Sequence, residues 1–242
     1  MKELEIKQEA FELRKKFGFS ASEPIRLKSL LLKEKILTCF LKLDDDFSGM
    51  AIKAKNNKFI LINSGHPLGR QHFTICHEIY HLFIDPAFST HKCQSASFDK
   101  ENKPEYAADT FASYFLIPEE GILEMIPKPE RKKDRINLST VIEIEQYYAC
   151  SRSALVNRLL FLKLISAEYK DELCKQVIKS AKLHGYPTDL YLPGNDSQIW
   201  GDYGSKAKKL FDNEKISEGH YASIMADIGI DIFEEIKKNI NQ

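Results

Sequence analysis

The chain has 242 residues, 43% of them hydrophobic and 29% charged, and its 35 acidic and 35 basic side chains balance to a net charge of zero. That length buries a sizeable core, and the neutral balance lacks the basic excess of a dedicated nucleic-acid binder. Five cysteines without a CxxC pair suit reduced thiols, "MKELEIKQEAFELRKKFGF" has no apolar leader, and no stretch approaches a membrane span, so a cytoplasmic protein is expected.

Residues 3–17 predict an amphipathic helix, and "SEPIRLKSLLLKEK" (22–35) a second one entered through Ser-Glu-Pro. The period then changes. "ILTCFLKL" (36–43), "SGMAIKAK" (48–55) and "KFILIN" (58–63) are short β-prone runs separated by "DDDF" and "NN", which predicts a small antiparallel meander. The acidic triplet at 44–46 reads as a solvated turn, because the glycine and distal glutamate of a calcium loop do not follow. From Arg70 to Ile84 the apolar spacing predicts a buried helix, and 86–103 reads as a long loop. "PEYAADTFASYFLIP" (104–118) predicts another helix, with Pro104 in its first turn and Pro118 as its stop.

"PKPERKKDR" (127–135) is charged and proline-bearing, as linkers are. "STVIEIEQYYACSRSALVNRLLFLKLIS" reads as helix, tight turn, helix, with Ser151 as N-cap. From Gly185 the tail is turn-rich, then helical over about 205–239. The expected organisation is a core over 1–126, a linker over 127–137, a helix-turn-helix-like region over 138–184 and a helical extension over 185–242.

The chemistry concentrates in "HFTICHEIYHLFID" (72–85). On a helix, residues four apart share a face, so the imidazoles of His77 and His81 can reach one ion. Glu78 stands beside that ion, where a base takes a proton from metal-bound water. By chance HExxH arises about 0.02 times in a chain of this composition. A zinc peptidase needs a third protein ligand. A third histidine six residues on is absent, since Ile84 and Ala87 occupy the relevant stretch. A glutamate from a later helix is the other solution, and Glu105 opens such a helix. Asp109, one turn on, would accept the outer N–H of a ligating histidine. Asp85, His91 and Asp109 are the alternatives to Glu105 as ligand, and Cys93 is a thiolate candidate for the open metal position.

"QHFTICHEIYHLFID" followed by "ExxADxFASYFLIP" resembles the ImmA/IrrE family of metallopeptidases, a gluzincin-like group. The likeness extends upstream to "SGMAIKAKNNKFILIN" and downstream to "CSRSALVNRLLFLKLIS", about residues 5–166 in all. It implies an α+β fold: a zincin-like minimal metallopeptidase core with a three-stranded antiparallel sheet, then helix-turn-helix-like and helical C-terminal regions. It also implies that His77, His81 and Glu105 are ligands of Zn2+, that Glu78 is catalytic, and that the partner is a helix-turn-helix repressor.

The resulting expectation is a zinc endopeptidase of narrow specificity that cleaves such a repressor through a Glu-activated, zinc-bound water. The rival is a non-proteolytic regulator that binds a repressor or DNA, with structural or vestigial zinc, as in a toxin–antitoxin-like pair. Autonomous DNA binding through Arg152, Ser153, Asn157 and Arg158 is disfavoured by the neutral charge. Tyr80, Tyr106, Tyr114 and His72 are candidate oxyanion donors, "KFILIN" a candidate strand for docking substrate, and Tyr191, Trp200 and Tyr203 either a partner patch or pins for the tail.

Overall fold

The computed structural model describes residues 3–55, 57–85, 98–99 and 101–232. Helix α1 (Glu3–Phe17) carries Glu3 and Glu5 in its first turn and Arg14, Lys15 and Lys16 in its last, matching the helix dipole. It stops at Gly18, whose φ of 88° suits the left-handed residue after a helix. Its buried stripe is Ile6, Ala10, Leu13, Arg14 and Phe17. Buried Arg14 is satisfied by carbonyls alone, donating to Phe115 at 2.6 Å, to Ser20 at 3.0 Å and to Glu23. Helix α2 (Leu27–Lys33) is shorter than expected, and Ser22 to Arg26 form an irregular approach instead of a first turn.

The sheet differs from the expected meander. Strands β1 (Ile36–Leu41), β2 (Gly49–Ala54), β3 (Asn57–Asn63) and β4 (Ile199–Trp200) lie in the order β2-β3-β1-β4. The β2–β3 hairpin is antiparallel as predicted, but β3 runs parallel to β1, and the fourth strand comes from the C-terminal region. So among the described residues the sheet is mixed and four-stranded, not antiparallel and three-stranded. Burial explains the order: Ile60 and Ile62 are fully buried, so β3 takes an inner position with β2 at the rim. Asn63 closes the crossover. Its Nδ2 donates to the carbonyls of Leu43, Asp44 and Phe47, and its Oδ1 accepts from the Leu43 and Gly65 N–H groups. The acidic triplet 44–46 is thus part of a turn held by an asparagine.

Under the sheet runs α3 (Leu68–Phe83), packed against β2, β3 and the antiparallel-facing α4 (Lys103–Leu116). Ala107, Ala108 and Ala112 are buried on α4. The remaining helices are α5 (Glu119–Met125), α6 (Leu138–Tyr147), α7 (Arg152–Phe161), α8 (Ala167–Leu173), α9 (Val177–Leu183), α10 (Tyr203–Asp212) and α11 (Glu218–Ala226). Ser151 caps α7, its hydroxyl accepting from the Ala154 N–H at 3.2 Å. The tail expected to be helical over about 205–239 carries α10 and α11 among the described residues, separated at 213–217, and its end past 232 lies outside them.

Residues 186–200 fold back onto the core. Leu68 N–H donates to Leu192 O at 2.9 Å, and the Gln71 amide reaches Ser64, His66 and Gly194 carbonyls. Trp200, 9% exposed, packs its ring 4.5 Å from that of Phe40. Tyr191 donates to buried Glu145 at 2.5 Å. These two aromatics pin the tail. Tyr203, on α10, donates to Asp227 at 3.1 Å. No helix among the described residues is long and apolar enough to cross a membrane.

Candidate metal centre

His77 and His81 lie one turn apart on α3, which is buried around nearly its whole circumference. Glu105 enters from the first turn of α4. The three converge: His77 Nε2 lies 3.1 Å from Glu105 Oε2, His81 Nε2 is 3.3 Å from His77 Nε2, and His81 Nε2 is 3.5 Å from Glu105 Oε1. Among the described residues they form a group able to hold a metal ion. A tetrahedral ion bound at about 2.0–2.1 Å sets its ligand atoms about 3.3 Å apart. The observed separations bracket that edge length.

The outer nitrogens complete the test of fit. His77 Nδ1 lies 2.9 Å from Asp109 Oδ1, and His81 Nδ1 lies 3.0 Å from Asp85 Oδ2. With an ion between the two Nε2 atoms and Glu105, each Nδ1 would carry the proton that its carboxylate accepts, and each Nε2 would turn a lone pair inward. Two imidazole lone pairs and a carboxylate then converge in a buried space, a donor set that suits a divalent cation of the zinc type. Asp109 does more than hold His77. Its Oδ2 accepts the N–H of Phe98 at 2.7 Å, tying the chain that precedes α4 to the histidine.

Glu78 is 1% exposed and directed toward the start of β2. A Cβ on Gly49 would lie 2.6 Å from Thr74 Cγ2 and 3.1 Å from Glu78 Oε1, so the absence of a side chain there makes room for the glutamate. Gly49 and the Asp85–His81 pairing are site features that sequence reading passed over. Asp85 was weighed only as a ligand, although its spacing of four from His81 was itself the signal. Gly49 was visible as a glycine opening a strand, where close approach is a usual reason for one. His91 and Cys93 lie outside the described residues.

Two of the candidate oxyanion donors, His72 and Tyr114, have other partners. The His72 Nδ1 sits 2.7 Å from Ala149 O, and burial lowers the pKa of that ring. Tyr114 donates to Glu3 at 2.8 Å. Tyr80 packs its ring 5.5 Å from both His81 and Phe111, and burial pushes its hydroxyl up to about 12. Tyr106 lines a cavity on another face of α4. "KFILIN" cannot receive an added strand, because β3 is paired on both sides; among the described residues β2 pairs only with β3. Of the residues considered for a DNA groove, Arg152 and Arg158 are each 2% exposed. Arg152 forms a two-pronged pair with buried Glu145, one arm at 2.7 Å.

The sequence profile of the IrrE N-terminal-like domain, a peptidase family, matches residues 33–160. That span holds every residue of the centre and three of the four strands. No curated protein matches the chain significantly.

Proposed function

The chain belongs to the peptidase family of the IrrE N-terminal-like domain, and from that premise we propose that it is a zinc-dependent endopeptidase of narrow specificity, cleaving a helix-turn-helix transcriptional repressor. The observation that carries the reading is the convergence of His77, His81 and Glu105 with buried Glu78 alongside. The repressor as substrate rests on the ImmA/IrrE resemblance alone.

His77, His81 and Glu105 would hold the ion, which when bound supplies Lewis acidity toward a peptide carbonyl and an attacking water. Asp85 and Asp109 keep both imidazoles in the tautomer that faces inward. Glu78 takes a proton from the water and returns it to the leaving amine. The substrate lies extended along β2, whose outer edge is unpaired among the described residues and whose first residue, Gly49, adjoins Glu78. Sequence-independent DNA contact finds little support at these positions, because Arg152 and Arg158 are buried.

Wild type and Glu78→Gln, both loaded with zinc, are incubated with the helix-turn-helix proteins encoded beside this chain, and products are read by intact mass. Wild type is expected to cut one of them. Glu78→Gln should retain its zinc and cut about 10²-fold more slowly or less. Equal rates would remove Glu78 from the chemistry. A wild type that binds a repressor without cutting it would replace this reading with the non-proteolytic one.

A further inference from the structure

A second cavity, of about 460 Å³, opens between α1, α4 and α7. Phe98, Tyr106, Leu160 and Phe161 supply apolar walls. The volume falls in the range of small-molecule sites, which combine such walls with a few placed polar atoms. Here the polar atoms are unusual. Arg158 and Thr110 both line the cavity and are 2% and 7% exposed, and among the described residues neither Arg158 Nη2 nor Thr110 Oγ1 has a hydrogen-bond partner.

The Arg158 guanidinium lies against two aromatic rings. It lies 3.9 Å from the Tyr114 ring centroid and 5.6 Å from that of Phe161, and its Nε reaches Ile117 O at 3.4 Å. The nearest carboxylate to Nη2 is Glu119, at 3.9 Å and partly exposed, too long for a hydrogen bond. Glu3, also in the lining, already accepts the Tyr114 hydroxyl. A buried cation with an unfilled donor is costly, and so is a buried hydroxyl without a partner. Both costs disappear if one ligand brings acceptor oxygens.

We propose that this cavity binds a small amphipathic carboxylate: an acid group taken by Arg158 and Thr110, with an aromatic or alkyl body against the apolar walls. A carboxylate has two oxygens for the two donors and no hydrogen that must be satisfied in return. The position gives the ligand a route to the metal centre. Thr110 follows Asp109 on α4, and Phe98, whose N–H Asp109 accepts, is part of the cavity wall. Occupancy therefore bears on the carboxylate that orients His77, and ligand and metal affinities are coupled in both directions.

The site stands independently of peptide cleavage, because its test reads binding. The full chain is titrated calorimetrically with 4-phenylbutyrate and decanoate, and with the corresponding amides. The acids should bind at least about tenfold more tightly than the amides, as expected for a charge-assisted pair. Thr110→Val, which removes a hydroxyl that has no partner among the described residues, should fold normally and weaken the acids while leaving the amides unchanged; Arg158→Gln should abolish the preference. Absence of binding, or equal affinity for acid and amide in the wild type, overturns the site. Zinc affinity measured with and without saturating 4-phenylbutyrate should differ several-fold, and identical values overturn the coupling.

Discussion

Asp85 and Asp109 hold the Nδ1 hydrogens of His81 and His77 from two different places in the chain. Asp85 follows the end of α3, four residues after His81, so local geometry brings them together. Asp109 comes from α4 and depends on helix packing. A carboxylate behind an imidazole raises its basicity and fixes its direction, and removing such a partner typically costs 10–100-fold in metal affinity. Asp85→Asn should therefore lower zinc affinity by about tenfold or more, measured by competition with a chelating dye, with little change in the thermal stability of the metal-free chain. Unchanged affinity would mean that His81 is oriented by its packing alone. Asp109→Asn should lower affinity as well, and it additionally weakens the tie to Phe98.

At the scale of elements, the centre depends on how closely α3 is gripped. Gly69 lies in its first turn, and a Cβ there would fall 2.7 Å from Ser151 N and 2.9 Å from Cys150 C, at the turn between α6 and α7. In an exposed helix Gly→Ala stabilises by up to about 1 kcal/mol. Here the obstructing atoms are backbone and cannot swing aside, so the sign reverses. Gly69→Ala should destabilise by about 1–3 kcal/mol in urea unfolding; a stabilised variant would contradict the contact. The same turn explains the fate of the arginines. The α6–α7 pair has the outline of a helix-turn-helix unit, but buried Glu145 and Arg152 pair inside it, and half-buried Tyr191 of the tail donates to Glu145. Its arginine is consumed by packing.

For the whole molecule, the region after residue 184 completes the core that the family match covers only in part. Trp200 lies on β4, which pairs with β1, and its ring covers Phe40. Gln71, which precedes His77 on α3, donates to Gly194 and accepts from Asn195. Trp200→Ala should cost roughly 3 kcal/mol of stability, as a large cavity would, while leaving zinc affinity within about twofold, since the ligands are on α3 and α4. If calorimetric melting were unaffected by the change, the tail would have no part in the core.

Local pattern made much of this legible in advance. The spacing of His77, Glu78 and His81 is a property of one helix turn, and α1, α3, α4 and the α6–α7 pair begin and end near where periodicity, prolines and Ser151 place them. The sequence by itself determined the chemistry of the candidate centre for that reason: helical geometry acts over four residues and needs no partner. Strand order, the burial of Arg14, Arg152 and Arg158, and the role of the tail were decided only by the tertiary structure. Each depends on which surface meets another from far along the chain. An alternating run such as "KFILIN" has the same pattern in the middle of a sheet as at its edge, and an arginine in a helix reads alike whether it faces water or three carbonyls.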